Sequence, residues 1–239
     1  GVSEELSQLS KHYGAIQTVT WANAVDTQRF HPHLDGRAIR QRFGIEPEKT
    51  VLLCLRRLEA KTGVQFLIQL APELIQVCPQ LIILIVGDGS LKPSLQEHVK
   101  EYPQVIFTGK VPNQEIPNYI AACDFAVFPS LAEATSIAAL EVMSCGKTVI
   151  ASDVGGLPEI ISHGENGLLV PFGKVDSQYD HVPLPLKTLT ILKESIQQLA
   201  KNPEMYHQMG QNAHQRVKKH FSWVNYCQRL ENVYQMLLS

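Results

Sequence analysis

The sequence predicts an α/β fold, with a Rossmann-like parallel sheet, helices on both of its faces and further helices at the C-terminus. Two observations support this prediction. Short apolar stretches alternate along the chain with longer stretches of helical periodicity, which is the pattern of repeated β-α-β units. The apolar stretches are almost uninterrupted, as in Leu-Ile-Ile-Leu-Ile-Val at 81–86, and strands buried on both faces of a sheet have this composition.

Each strand of the predicted sheet is followed by a helix or a loop. The predicted strands are 50–55, 80–86, 104–108, 124–128, 147–151 and 167–170, and the predicted helices between them are 63–77, 90–100, 114–122, 135–145 and 158–163. Residues 3–13 are predicted to be helical and 17–21 extended, while 172–186 has no period and predicts a surface loop. The chain is predicted to end in helices at 187–201, 203–219 and 222–238.

The composition predicts a soluble protein that buries a large core. Of the 239 residues, 44% are hydrophobic and 18% are charged, against roughly 25% charged in an average domain. The formal net charge is −2, whereas nucleic-acid-binding proteins have a basic surface, so no nucleic-acid partner is expected. No apolar run approaches the ~18 residues of a membrane span, so none is expected.

The cysteines are odd in number, widely spaced and set among apolar residues, which favours buried thiols over disulfides or zinc ligands. A reducing compartment follows, and we expect the protein in the cytoplasm, with peripheral membrane association of the full-length protein left open. The five residues are Cys54, Cys78, Cys123, Cys145 and Cys227.

The stretch from Asp124 to Gly156 predicts a strand, a short loop, a helix and a second strand. Pro129 ends the first strand, and Thr135 and Ser136 are hydroxyl residues suited to cap the helix. The helix therefore begins beside the carboxyl end of a strand, where parallel sheets bind ligands. Its free N–H groups and dipole predict an anion site, most naturally for phosphate.

Two carboxylates flank this predicted phosphate site. Glu133 and Glu141 are eight residues apart, which corresponds to roughly 12 Å along a helix. Because paired acid/base carboxylates of glycosidases lie about 5 to 9.5 Å apart, a positioning role fits better, with each glutamate accepting hydrogen bonds from a different part of the ligand. From the spacing alone, two solvated glutamates are the favoured interpretation.

This stretch closely resembles the E-x7-E signature of the retaining glycosyltransferases of family 4, which have the GT-B fold. The resemblance implies that Glu133 approaches the donor sugar and that Glu141 binds the ribose. The backbone amides of Thr135, Ser136 and Ile137 would hold the diphosphate. Many members have Gly-Phe-Gly after the first glutamate, where this chain has Ala-Thr-Ser, so the signature does not indicate which sugar is bound.

A cation pair, Arg56 and Arg57, follows the first predicted strand of the sheet. Arginines at this position suit a diphosphate leaving group, although surface charge is the favoured interpretation on spacing alone. The family pattern R-L-x-x-x-K-G matches Arg57, Leu58 and Gly63, with threonine at the lysine position and the cation displaced to Lys61. The resemblance implies that Arg57 and Lys61 act in catalysis with Glu133.

Two further loops match the nucleotide side of the family's site. The loop at Gly87 is not a dinucleotide fingerprint, because the third glycine of G-x-G-x-x-G would fall at Lys92, but in the family this loop borders the nucleotide. Lys110 and Val111 correspond to the stretch whose backbone meets the nucleobase. Gly-Gly-Leu-Pro-Glu at 155–159 starts a helix and lines the same cleft in the family.

The resemblance also implies a domain organisation. The segment from Trp21 to Pro32 is similar to the N-G-V-D-x-x-x-F-x-P stretch by which these enzymes enter their second domain, with alanine at 24 in the glycine position. We therefore expect an interdomain segment at 1–32, a Rossmann-like donor-binding domain at 33–222 and a terminal helix at 223–239. The family's N-terminal acceptor domain is expected to be absent from this chain. The terminal helix carries an apolar stripe, which is expected to be exposed or to pack against another copy, at Trp223, Tyr226, Leu230, Val233 and Leu237.

The resulting hypothesis is the nucleotide-sugar-binding domain of a glycosyltransferase that moves a sugar, with retention, from a nucleoside diphosphate donor to a hydroxyl acceptor. The acceptor would be bound mainly by the missing domain, so this chain alone is not expected to transfer sugar. No metal or other cofactor is expected, and the chain has no D-x-D pair of the kind used by metal-dependent transferases. The alternatives are a non-catalytic nucleotide-sugar-binding module and, less favoured, a sugar-nucleotide epimerase of the same fold.

Overall fold

The computed structural model describes residues 1–16, 18–173 and 183–238. Within these residues the chain forms a six-stranded parallel sheet in the order β3-β2-β1-β4-β5-β6. The predicted α/β fold is therefore confirmed, and each strand begins and ends within a residue of its predicted bounds. The strands are β1 Thr50–Leu55, β2 Leu81–Val86, β3 Val105–Gly109, β4 Phe125–Phe128, β5 Thr148–Ser152 and β6 Gly167–Val170.

The helices also lie close to their predicted positions. They are α1 Glu4–His12, α2 Arg37–Arg42, α3 Val64–Val77, α4 Lys92–His98, α5 Ile116–Ala122, α6 Ile137–Ser144, α7 Leu157–Ile160, α8 Leu186–Ala200, α9 Pro203–His220 and α10 Trp223–Leu238. Short 3-10 turns occupy Ala60–Thr62 and Asn113–Glu115. The sequence analysis missed α2, and most of the loop expected at 172–186 lies outside the described residues.

The sheet divides the core into two layers, and successive residues of a strand belong to opposite layers. Leu52, Ile83 and Val127 belong to the cluster that α3 and α8 cover, and Leu53 and Leu84 belong to the cluster on the opposite face, with α5 and α6. Successive side chains of a strand point to opposite faces, so a sheet buried on both sides needs apolar residues at every position. This requirement explains the uninterrupted apolar runs in the sequence.

The strand order reverses beside β1. The chain proceeds outward through β2 and β3, then crosses to β4 on the other side of β1 and proceeds outward again through β5 and β6. In open parallel sheets, ligands bind at the carboxyl ends of the strands beside such a reversal. The loops that leave β1 and β4 both begin there, and we call residues 56–63 the β1 loop and residues 129–136 the β4 loop.

One ion pair fastens β1 and β4 to each other at their amino ends. Asp124 Oδ2 accepts hydrogen bonds from Arg40 Nη2 at 2.8 Å and from the backbone N–H of Val51 at 2.7 Å. Arg40 also donates to the carbonyl oxygens of Ala122 and Lys49, each at 2.9 Å. The guanidinium of Arg40 on α2 therefore links β1 and β4 at the amino ends of the strands.

The segment around Val25 is hydrogen-bonded to the residues that join α9 to α10. The backbone N–H of Val25 donates to the carbonyl of Phe221 at 2.9 Å, and the N–H of Trp223 donates to the carbonyl of Val25 at 3.2 Å. On α10, the side chains of Trp223 and Tyr226 are exposed, and the Tyr226 ring lies 5.3 Å from the Trp21 ring. Exposure of the start of the predicted apolar stripe agrees with the expectation. In the described ranges, no helix has the length and apolar character to cross a membrane.

Replacing Arg40 is expected to cost stability, whereas replacing a neighbouring arginine is not. Arg40→Ala leaves the half-buried Asp124 carboxylate without its cation, which should lower the free energy of unfolding by about 2 to 4 kcal/mol. Arg37→Ala removes an ion pair with Asp35 whose side chains are 85% and 56% exposed, and little change is expected. Urea unfolding of both variants tests this difference, and equal losses would contradict the structural role of Arg40.

Candidate functional site

A cavity of about 450 Å³ opens at the carboxyl ends of β1, β2 and β3. Four of the predicted site residues line it, namely Arg57, Gly87, Lys110 and Val111. Cationic and apolar side chains share its walls, which is typical of a small-molecule site that takes a ligand with both a flat apolar part and a charged part. The lining residues are Leu55, Arg56, Arg57, Val86, Gly87, Asp88, Lys110, Val111 and Ile116.

The shape of this cavity depends on Gly87. Its φ is +145°, and a Cβ atom placed on it would lie 1.8 Å from the carbonyl oxygen of Arg56. Only glycine allows the loop after β2 to approach the β1 loop so closely. The next residue, Asp88, is paired with Lys92 at 2.9 Å, and this hydrogen bond lowers the pKa of its carboxyl group.

Glu133 lies within the β4 loop, and its carboxylate is paired with a cation. Oε2 lies 2.5 Å from Arg56 Nη2 and accepts a longer hydrogen bond, at 3.4 Å, from the hydroxyl of Ser130. The Arg56 side chain is only 9% exposed and the Glu133 side chain 17%. The guanidinium carbon of Arg56 lies 5.3 Å from the centroid of the Phe128 ring. The reading of Glu133 as a solvated surface residue is therefore wrong.

The structure separates the two arginines that the sequence presents as one cation pair. Arg57 is exposed at the cavity, as the prediction for the diphosphate requires, whereas Arg56 turns inward to Glu133. Successive residues at the end of an extended strand point in opposite directions, so two adjacent arginines cannot both face one ligand in the same way. The sequence analysis grouped Arg56 with Arg57 and missed its pairing with Glu133, and this alternation is the signal that could have separated the two arginines.

The loop after β5 holds the backbone of Glu133 in place. Gly155 has a φ of +54°, and a Cβ atom on it would lie 1.5 Å from the carbonyl oxygen of Glu133. At Gly156 a Cβ atom would lie 2.1 Å from the carbonyl oxygen of Ala134, and its N–H donates to Glu133 O at 3.4 Å. The Gly-Gly pair is therefore needed for close backbone contact, in addition to starting α7.

Lys61 is exposed in the 3-10 turn of the β1 loop and does not line the cavity. Thr62, which stands at the family's lysine position, is buried and donates its hydroxyl to the carbonyls of Arg57 and Glu59 at 2.8 and 2.7 Å. A lysine at position 62 could not make these short hydroxyl contacts. The carbonyl of Lys61 accepts from the N–H of Leu131 at 2.9 Å, so this turn is joined to the β4 loop.

The start of α6 has the geometry that the sequence predicts. Ser136 has extended backbone angles, and its hydroxyl accepts from the N–H of Ala139 at 3.3 Å. Thr135 donates its hydroxyl to the carbonyl of Val2, so the N-terminal segment lies against this loop. The backbone N–H groups of Thr135, Ser136 and Ile137 have no acceptor within the described ranges. They are the donors that the prediction assigns to a diphosphate.

Glu141 lies within α6 and is partly buried. Desolvation raises the pKa of its carboxyl group to about 7, and the charge of Arg29 opposes this shift. Arg29 is itself held by Asn113, whose side-chain oxygen accepts from it at 3.1 Å. The two glutamates of the signature therefore have different surroundings. Glu133 is paired with an arginine, whereas Glu141 is partly buried and its carboxylate has no donor among the described residues.

The contact between Gly155 and Glu133 can be tested by adding a single methyl group. Gly155→Ala combines a left-handed backbone angle with a clash against a backbone carbonyl, and it should destabilise the protein by more than the roughly 1 to 2 kcal/mol of the backbone term alone. Gly164→Ala is the matched control, because Gly164 has a φ of +82° and no atom within 4 Å of its added Cβ. Chemical unfolding should show the larger loss for Gly155→Ala, and equal losses would mean that the contact is not tight.

Comparison with known proteins shows the family of this chain. The family model "Glycosyl transferases group 1" matches residues 35–216. A GDP-mannose-dependent phosphatidylinositol monomannoside mannosyltransferase of Mycolicibacterium smegmatis is 34% identical over 164 residues, which are 64% of this chain and 43% of that protein. The chain spans about half the length of the curated relatives it matches.

Two solved structures have the same fold. HepE of Anabaena, solved in complex with UDP-glucose, is 23% identical with a TM-score of 0.82, and the match covers 99% of this chain and 63% of HepE. The C-terminal domain of a group 1 glycosyltransferase from Francisella tularensis is 25% identical with a TM-score of 0.69, and the match covers 83% of this chain and 99% of that domain. The chain belongs to the group 1 glycosyltransferase family and has the fold of the C-terminal domain of GT-B enzymes.

Proposed function

We propose that this chain binds the nucleotide-sugar donor of a glycosyltransferase that moves a sugar from a nucleoside diphosphate to a hydroxyl acceptor. The observation that carries the proposal is the cavity with Arg57 and Lys110 in its wall, at the carboxyl edge of a sheet whose neighbouring loop leads to α6. Among similar proteins, one uses GDP-mannose and another is solved with UDP-glucose, and both ligands are nucleoside diphosphate sugars.

The donor would lie along the edge of the sheet from β3 towards β4. Its base and ribose would occupy the cavity beside Gly87, Lys110 and Val111, with Glu141 accepting from ribose hydroxyls. Its diphosphate would reach the free N–H groups at 135–137, and its sugar would reach Glu133. This assignment places each charged part of the donor beside protein groups of the complementary kind.

Transfer would be promoted by stabilising the diphosphate as it leaves. Arg57 and Lys61 supply positive charge and the helix start supplies N–H donors, so that the negative charge that develops on the leaving group is met by groups already in place. On this proposal the reaction needs no metal ion and retains the configuration of the sugar. The acceptor would be bound mainly by another domain of the whole protein, which is consistent with a chain that spans about half of its relatives.

Nucleotide binding should depend on the diphosphate and on Arg57. In the presence of EDTA, UDP or GDP at about 100 times its Kd should add roughly 2.7 kcal/mol to stability, which appears as a thermal shift. Arg57→Ala should weaken the diphosphate about tenfold and the matching monophosphate much less, because it removes a charged hydrogen-bond donor.

The control for this experiment is Lys193→Ala. It removes a cation of α8 that is paired with Glu73 of α3, and neither residue lines the cavity. That variant should bind as the unchanged protein does. If UDP, GDP and their sugars all fail to bind, the proposed function is contradicted. If they bind only with added magnesium or manganese, the metal-free mechanism is contradicted.

Donor binding should also strengthen as the pH rises from 6 to 8. The pKa of Glu141 is raised to about 7, so its carboxyl group is mostly protonated at pH 6 and ionised at pH 8. Accepting hydrogen bonds from two ribose hydroxyls requires the ionised form, so the Kd of UDP-glucose or GDP-mannose should fall about tenfold over this range. These ligands suit calorimetry because their own diphosphates do not titrate between pH 6 and 8.

The control variant for the pH experiment is Glu141→Gln, which has no titrating carboxyl group at this position. Its Kd should be nearly independent of pH and close to the value of the unchanged protein at low pH. A pH dependence that survives this substitution would assign the titration to another group.

A further inference from the structure

Arg56 has no role in the function proposed so far, although it lies between the two parts of the site. It is one of the residues that line the cavity, and its guanidinium contacts the carboxylate of Glu133, which lies outside the cavity. The family resemblance concerns its neighbour Arg57. Arg56 therefore connects the region assigned to the nucleotide with the glutamate assigned to the sugar.

We propose that Arg56 positions Glu133 for the donor sugar and so determines how strongly the site prefers a nucleotide-sugar to the plain nucleoside diphosphate. This inference rests on the proposed function, because it names how one residue of that site distinguishes the two ligands. Arg56 acts through Glu133 and is a positioning residue.

The pattern of contacts on Glu133 supports this role. Arg56 and Ser130 both donate to the same carboxylate oxygen, Oε2, and no donor to Oε1 is found among the described residues. Oε1 is also absent from the buried polar atoms that lack a partner, so it remains accessible. One oxygen is held by the protein, and the other is presented to a ligand that can donate, as a sugar hydroxyl does.

Arg56 is rigid enough to impose this geometry. Its backbone N–H donates to the carbonyl of Val86 at 3.0 Å, and Gly87 packs directly against its carbonyl oxygen. Its side chain is buried with the guanidinium near the Phe128 ring. A guanidinium held on a strand end in this way fixes the carboxylate that it contacts, which a flexible surface lysine would not do.

A second observation indicates that the arginine is part of a binding site. Arg56 Nη1 is buried and has no hydrogen-bond acceptor within the described ranges. Buried charged donors are normally satisfied, and an unsatisfied one is expected where a ligand oxygen or an ordered water completes the site.

The inference is tested by calorimetry with UDP, UDP-glucose, GDP and GDP-mannose. The readout is the Kd of each plain diphosphate divided by the Kd of its sugar. Arg56→Gln should lower this ratio about tenfold, the loss expected for one hydrogen bond to a charged group, while the Kd of the plain diphosphate stays within about twofold. Glu133→Gln should lower the ratio to a similar extent, and Arg56→Lys should restore part of it.

The double variant Arg56→Gln with Glu133→Gln should be no worse than the poorer single variant, because both changes remove the same interaction. The neighbouring variant Arg57→Gln is the matched control, and it should weaken the plain diphosphate and the sugar alike, leaving the ratio unchanged. Thermal unfolding is measured for every variant. If Arg56→Gln does not fold, Arg56→Lys and Glu133→Gln still decide the question through their ratios.

Several outcomes would overturn the inference. If Arg56→Gln weakens the plain diphosphate and its sugar equally, Arg56 binds phosphate directly. If the ratio is unchanged in Arg56→Gln and Glu133→Gln, the pair serves only the fold, while the proposed nucleotide site still stands. If the unchanged protein binds none of the four ligands, both the proposed function and this inference are rejected.

Discussion

Close contact between the backbones of the loops at the carboxyl edge of the sheet is the constraint on which the candidate site depends. At Gly63, Gly87 and Gly155, an added Cβ atom would lie within 1.8 Å of a carbonyl oxygen of another loop. The carbonyl oxygens belong to Pro129, Arg56 and Glu133, in the same order. In each contact the glycine and its partner lie in loops that follow different strands. Side chains anchored on such loops keep fixed relative positions, which a site that aligns a ligand across several strands requires.

The opposite edge of the sheet provides the complementary restraint. Arg40 and Asp124 join the amino ends of β1 and β4, and these two strands carry the β1 loop and the β4 loop at their other ends. The reversal of strand order lies beside β1, and the cavity opens at the carboxyl ends of β1, β2 and β3. The position of the site therefore follows from the topology, and its chemistry follows from the loops.

Charge is distributed unevenly along this edge. Arg57 and Lys61 are exposed, and the N–H groups at the start of α6 have no acceptor among the described residues. Glu133 is instead paired with Arg56, and Glu141 is desolvated. A ligand with negative charge at its centre and hydroxyl groups at both ends matches this arrangement. Nucleoside diphosphate sugars, the ligands proposed above, have that distribution of charge and hydroxyl groups.

Much of the fold could be predicted from the sequence because its determinants are local. Uninterrupted apolar runs defined the strands, Ser136 marked the start of α6, and glycine and proline marked the turns. The sequence also pointed to Arg57, Gly87, Lys110 and Val111, which the structure brings together at one cavity. Such patterns show where each strand ends in the sequence. Because parallel strands bring their carboxyl ends to one edge of the sheet, residues that follow different strands are expected to lie together.

The sequence by itself determined which residue types stand at each strand end, but the tertiary structure decided what each side chain faces. Whether Arg56 or Arg57 turns inward depends on the packing of Phe128 and on the position of Glu133, which is 77 residues away along the chain. The elevated pKa of Glu141 depends on how completely neighbouring elements exclude water from it. Both properties arise from contacts between distant segments, and neither composition nor periodicity records such contacts.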